Sequence, residues 1–178
     1  MNVKDLLLDS MESVTDWTAT TSSTTNLAVS TTRMTGTYSV EFDKKSDTEV
    51  DAGAYGSLSE GKLNLDQRWA VRPYDRVVWT LYVSSTADID YAYVKLGTAV
   101  SGAAMSNYNE YRVADSLLIA GWNICDVPVG DAYLGGTGWN PSAVDGVEVG
   151  VALDAGDDTL ADIKVDRIEI VRGGFSRA

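Results

Sequence analysis

The sequence predicts an all-β fold, an antiparallel β-sandwich of the jelly-roll kind, and three observations carry that prediction. Short alternations of apolar and polar residues recur along the chain, separated by Gly, Asp, Asn and Ser turns. Thr, Ser, Val and Gly are abundant, while long Ala/Leu/Glu/Lys runs are missing, a mixture that suits strands better than helices. The third observation is residues 162–171, close to the C-terminus. There Ile163 and Val165 share one strand face and Ile168 and Ile170 the other, so the apolar phase slips at Asp166–Arg167. A slip of one residue signals a β-bulge or a strand covered on both sides. So late in the chain, it reads as a closing strand that pairs with something made much earlier.

Taken in order, Leu6, Leu7 and Leu8 form a short entry strand. Residues 17–29 read as strand-turn-strand, because Trp17, Leu27 and Val29 flank a Ser/Thr-rich run. Tyr38, Val40 and Phe42 alternate with Ser39, Glu41 and Asp43, the pattern of a half-buried strand. Residues 48–65 hold one or two weaker strands around glycines 53, 56 and 61, and 66–74 are irregular, with Trp69 and Pro73. Residues 76–83 are the strongest strand: Val77, Trp79, Leu81 and Val83 on one face, Val78, Thr80 and Tyr82 on the other. β-formers on both faces predict a central place in its sheet.

Residues 89–96 follow as a strand with Tyr91 and Tyr93 on one face, then a small-residue loop at 97–107 and a strand at 108–113. A short apolar run, Leu117 to Ile119, precedes the strand at 122–129, which Pro128 and Gly130 end. Residues 131–140 are glycine-rich and contain Trp139; a short helix fits near 142–144. Val147, Val149, Val151 and Leu153 alternate along the strand before the closing one. Roughly nine to eleven strands result, without repeat or internal boundary, so residues 1–178 are expected to form a single jelly-roll domain.

Composition narrows the function. A net charge of −12, from 26 acidic and 14 basic residues, leaves no basic stripe for phosphates and disfavours nucleic acid and anionic membranes. The single cysteine, Cys125, has no partner for an intrachain disulfide and reads as a small core residue. There is no histidine, no Gly-x-Ser-x-Gly and no phosphate-cradling glycine loop, so no catalytic constellation stands out and a non-enzyme is expected. The apolar run at Leu6–Leu8 is too short for an export signal or a span, which predicts folding in the cytoplasm.

Several segments together resemble jelly-roll domains of the carbohydrate-binding-module type, including the many copies found in tailed-phage virion proteins. They are residues 9–12 followed by Asp16-Trp17, then 36–42, 76–83, Gly121-Trp122-Asn123 and the closing 163–170. The resemblance implies a structural calcium ion held by an acid after the first strand and another in the last. Here these are Glu12 and Asp166, with carbonyls near Gly36. The closing pattern departs from the family's adjacent acids by carrying Arg167, so an Arg167–Glu12 salt bridge is the alternative fastener. Asp154, Asp157 and Asp158 form a second cation candidate, against the plainer reading of a solvated turn.

Glycan binding needs aromatic platforms flanked by amides or carboxylates. Trp17 and Trp79 read as core, which leaves Trp69, Trp122 and Trp139, with Tyr91 and Tyr93 joined by Tyr108 if one sheet face carries them. The leading functional expectation is a non-enzymatic bacteriophage virion protein assembled in the host cytoplasm. It would be a capsid decoration or cement protein, bound to the major capsid protein or other virion proteins as a homo-oligomer on the particle. The second expectation is a carbohydrate-binding module that mediates adhesion to glycans, and the third a tail or neck component of the virion.

Overall fold

The computed structural model describes residues 5–57, 71–101 and 104–173. Among them twelve strands appear: β1 (Leu6–Asp9), β2 (Trp17–Ala19), β3 (Thr24–Ser30), β4 (Ser39–Lys44), β5 (Asp51–Ser57) and β6 (Arg76–Val83), then β7 (Ile89–Ser101), β8 (Ala104–Ala114), β9 (Gly121–Pro128), β10 (Tyr133–Gly135), β11 (Gly146–Leu153) and β12 (Leu160–Val171). They form two antiparallel sheets, in the orders β3-β4-β12-β6-β9, with β1 also on β12, and β10-β8-β7-β11-β5-β2. The sheets pack face to face as a jelly-roll sandwich. The inner faces supply one cluster that includes Phe42, Trp79, Leu81, Val94, Val149, Ile163 and Ile168. Trp17 and Trp79 are core residues, as their alternation predicts. Among the described residues no helix is long and apolar enough to cross a membrane.

The closing strand is the hub of the first sheet. β12 pairs with β4 through Ile163↔Phe42 and with β6 through Val165↔Leu81 and Ile168↔Trp79. Its register against β6 shifts between Val165 and Ile168, where the sequence predicts a bulge. The extra residue returns Ile168 and Ile170 to the side already taken by Ile163 and Val165, and all four are buried. A regular strand would have turned two of them to solvent.

Three expectations change on folding. β6 is an interior strand with neighbours on both sides, but the middle of the sheet belongs to β12. Residues 97–107, read as a loop, are mostly strand: β7 and β8 form one long hairpin whose register continues through Gly97↔Tyr108 and Val100↔Met105. Small side chains lower strand propensity, yet backbone pairing with a regular neighbour overrides it. The helix near 142–144 is a single 3-10 turn, Pro141–Ala143, capped by the Asn140 side chain.

Cys125 sits on the inner side of β9, about 1% exposed. Burial pushes its thiol up to about 12, so almost no thiolate exists near neutral pH. The native chain is therefore expected to leave a thiol reagent unreacted at pH 8, and to react fully once unfolded in denaturant. Rapid labelling of the folded chain would show that β9 opens locally.

Candidate glycan-binding face and cation sites

The outer face of the second sheet is built row by row from its register. One row runs Tyr133–Glu110–Lys95–Glu148–Tyr55–Thr18 across all six strands. The next runs Arg112–Tyr93–Gly150–Gly53, and a third Ala114–Tyr91–Ala152–Asp51. Tyr91, Tyr93 and Tyr108 thus share one face, while Tyr111 at the opposite parity points into the core.

The floor of this face is made of small residues, and that choice places the aromatics. A Cβ on Gly53 would lie 2.6 Å from Val149 O and 2.8 Å from the Tyr93 hydroxyl. One on Gly150 would collide with Ala52 O and stand 2.8 Å from the same hydroxyl. The Tyr93 ring therefore reaches across two glycines and is fully buried without belonging to the core. Its hydroxyl donates to Glu148 Oε1 at 2.9 Å, and Lys95 Nζ donates to the same oxygen at 2.9 Å. The Lys95 ammonium also lies 4.3 Å from the Tyr93 ring centre and 5.3 Å from that of Tyr108.

Toward the β10 edge, the Arg112 guanidinium is sandwiched between two tyrosines. Its centre lies 4.1 Å from the Tyr91 ring and 4.6 Å from that of Tyr133, and its Nε donates to Glu110 at 2.9 Å. Asp90, Tyr91, Arg112, Ala114 and Tyr133 line a cleft of about 270 Å³ here. Asp51 faces the same rows, with Oδ1 buried and unpartnered, and desolvation raises its carboxyl above the usual aspartate range. Solvent-facing rings at Tyr91 and Tyr133, with a fixed guanidinium between them and carboxylates beside it, offer a sugar ring both CH–π contact and hydrogen bonds.

The other aromatics nominated from sequence are scattered. Trp122 lies on the outer face of the opposite sheet, edge-on at 5.6 Å to Tyr82, whose ring Lys164 Nζ approaches to 4.9 Å. Trp139 donates its indole N–H to Leu96 O at 3.0 Å and lines a cavity of about 240 Å³ at one end of the sandwich. That cavity is walled mainly by apolar groups such as Val71, Tyr111, Val129 and Ile170, and its few polar groups make it the poorer fit for a polyol. Trp69 lies outside the described residues. Sequence reading missed Arg112 and Tyr133. Only pairing across β10, β8 and β7 brings them to Tyr91.

Glu12 and Asp166 come to one loop. Glu12 accepts from the backbone N–H of Thr37 (2.9 Å) and Tyr38 (3.0 Å). Asp166, fully buried, accepts from the N–H groups of Met34 (2.6 Å) and Thr35 and from the Thr35 hydroxyl (3.2 Å). Gly36 at φ 59 leaves the room that Glu12 fills, and its carbonyl accepts from Arg33 Nε at 2.9 Å. Calcium requires six to eight oxygens. Here the two carboxylates face N–H hydrogens, and the Gly36 carbonyl faces a guanidinium. Among the described residues no group of three or more acids, histidines or cysteines is placed to hold a metal. This donor set does not fit calcium. The Arg167–Glu12 bridge does not form either, because Arg167 pairs with Glu169 at 2.6 Å, on its own strand face.

At the second candidate, the cation is the chain's own. Lys44, about 2% exposed, donates from Nζ to the carbonyls of Lys45 (2.6 Å), Gly156 (2.9 Å) and Asp158 (3.3 Å). The ammonium thus occupies the oxygen-lined centre of the 154–158 turn, while Asp158 caps Ala155 N–H.

No family model and no curated protein matches the sequence. Solved structures do resemble its fold. A family 11 carbohydrate-binding module from Clostridium thermocellum, in complex with a beta-1,3-1,4-mixed-linked tetrasaccharide, superposes with a TM-score of 0.65 at 13% identity. The match covers 96% of this chain and 97% of the module. A family 30 carbohydrate-binding module matches with a TM-score of 0.65 at 12% identity, over 99% and 92% of the two chains. An arabinose-bound α-L-arabinofuranosidase matches at 0.58 and 12% identity, covering 95% of this chain but 26% of the enzyme. At these identities the likeness establishes a shared β-sandwich fold.

Stability measurements test the cation sites and the tyrosine face alike. Lys44→Met removes the donor from three part-buried carbonyls, of which Gly156 O keeps the Asp47 N–H, and should cost about 1 kcal/mol in denaturant unfolding. A chelator should leave the melting temperature of the unaltered chain in place; a fall on adding chelator would restore a structural ion. The tyrosines set an alkaline limit. Desolvation, reinforced by nearby carboxylates, raises Tyr91 to about 12 and Tyr93 well above its usual value, and desolvation raises Tyr111 to about 12. Unfolded tyrosines ionise near about 10. Between those values the folded state holds more protons, so stability is intact below about pH 10 and falls as pH rises through it. Denaturant titrations at pH 9 and pH 11, with tyrosinate absorbance as a second readout, check the sign.

Proposed function

We propose that this chain is a non-catalytic carbohydrate-binding module that holds a neutral oligosaccharide against the outer face of its second sheet. The observation that carries the proposal is the Tyr91–Arg112–Tyr133 stack, continued by Lys95, Tyr93 and Glu148 across the same face. Tyr133 is exposed and Tyr91 half-buried, so these two rings are the ones a sugar can meet, whereas Tyr93 is buried; the charged groups are held at fixed positions by their own ion pairs, and Arg112 is the more exposed of the two cations. Those pairs leave little free positive charge, which with the net charge of −12 disfavours acidic polysaccharides. The fold shared with carbohydrate-binding modules, one of them solved with a mixed-linked tetrasaccharide, supports the same reading.

Placement on a virion, as a capsid decoration protein or as a tail or neck component, rests on the sequence resemblance alone. Glycan binding draws on both the face and the fold comparisons, and it therefore takes precedence here.

Affinity electrophoresis and calorimetry against a panel of soluble glucans, xylans, mannans and arabinans test the proposal. Retention on at least one polymer is expected. Tyr91→Ala and Tyr133→Ala should each weaken it by roughly 10-fold or more, a loss of about 1–3 kcal/mol per stacking ring, with melting temperature nearly unchanged. Trp122→Ala, on the far sheet, should leave retention as it was. Binding that depends on Trp122 and survives both tyrosine changes would overturn the assignment of the face.

A further inference from the structure

A second surface stands apart from this face. The four most exposed large apolar side chains among the described residues all fall in one stretch of sequence: Leu117 (75%), Leu134 (74%), Ile124 (67%) and Ile119 (65%). They belong to the segment leading into β9, to β9 itself and to β10. Among the described residues β9 is the outer strand of the first sheet and β10 the outer strand of the second, and β8 touches β9 across this flank. On the opposite flank the sandwich is closed by contacts of β2, β3 and β4 with one another's sheets. Among the described residues the most exposed apolar side chains gather on the β9 flank.

The edges differ in kind. β2 and β10 are three residues each, too short to template another strand. β3 is interrupted by a register shift between Thr25 and Ala28, with Asn26 at φ 56, which is how a protein blunts an edge. β9 has none of these protections. It pairs with β6 over eight residues, Gly121↔Val83 to Pro128↔Arg76, without a shift, and carries no lysine. Its outward residues are Trp122, Ile124 and Asp126, and Asp126 is neutralised by Arg76 of the neighbouring strand.

We propose that two copies of this chain associate edge to edge, β9 against β9, antiparallel about a two-fold axis at Ile124. Self-pairing in that register sets Ile124 against its own copy and Trp122 against Asp126 of the partner, so no like charges lie directly opposite. The first sheet then continues across the dimer, and backbone N–H and C=O groups on the free side of β9 gain partners. Leu117 and Ile119, beside the start of β9, supply flanking apolar area. The glycan face lies on the other sheet and stays open, so the dimer would present two such faces. This inference is independent of the glycan reading.

Sedimentation velocity of the full-length chain across micromolar to hundreds-of-micromolar concentration is the direct test. A monomer–dimer equilibrium is expected, tightening as salt screens the repulsion between two chains of charge −12. Ile124→Lys should weaken association by roughly tenfold or more while leaving the melting temperature in place. Ile124→Cys should form a disulfide-linked dimer under mild oxidant, because the two side chains face each other at the axis. Leu134→Cys, equally exposed on the other sheet's edge, should cross-link far more slowly, and native Cys125 is buried in both. A chain that stays monomeric throughout, with Ile124→Cys no faster than Leu134→Cys, overturns the proposal. A dimer that Ile124→Lys does not weaken also overturns it, by placing the contact elsewhere.

Discussion

The bulge in β12 is the constraint on which the first sheet depends. Without an extra residue between Val165 and Ile168, a strand paired to β4 at one end and β6 at the other would send half its apolar residues to solvent. With it, four large side chains reach the core, and Asp166 is left at the irregular point with its carboxylate aimed at a loop made more than a hundred residues earlier. That carboxylate and Glu12 then hold residues 34–38 between them. One local irregularity thus sets the core, the register of three neighbours and the fastening of the chain's two ends.

The second sheet works by contrast between its faces. Inside, Val94, Val149 and Val151 pack as any sandwich core does. Outside, glycines and alanines at Gly53, Gly150, Ala114 and Ala152 make a floor low enough for tyrosine rings and long charged side chains to lie on it. The same glycines would be read as strand-breakers by propensity. Here the loss of strand preference is offset by the layer they admit: a buried phenol, a carboxylate shared by two donors and a guanidinium between two rings. Groups held this firmly lose little freedom when a ligand arrives, which favours recognition over adaptation.

The cation sites show how a chain this acidic can be held together by its own donors. Backbone N–H groups answer Glu12 and Asp166, and a lysine ammonium answers the carbonyls of the 154–158 turn. The 154–158 turn stood out for its clustered acids, whereas Glu12 and Asp166 came from the family resemblance. The spacing of acids reports where oxygens gather, but a donor from elsewhere in the fold can be what meets them.

Much of the architecture was legible because alternation with a period of two is a direct image of a strand lying between core and solvent. Val40 to Phe42, residues 76–83 and 147–153 read correctly, while Tyr38 lies exposed just before β4, and the phase slip at Asp166 announced its bulge. The hairpin at 97–107 did not read, because small residues carry no pattern and its pairing comes from β7 and β8 together. Of the candidate site, parity placed Tyr91 and Tyr93 on one face, and nothing local could say which residues would stand beside them. The sequence by itself determined the sandwich class and the inner side of most strands, because burial acts on each side chain locally. Only the tertiary structure decided that Arg112 lies between Tyr91 and Tyr133, that Trp122 belongs to the opposite sheet and that Lys44 fills a turn, because cross-strand register and long-range pairing are properties of several segments at once.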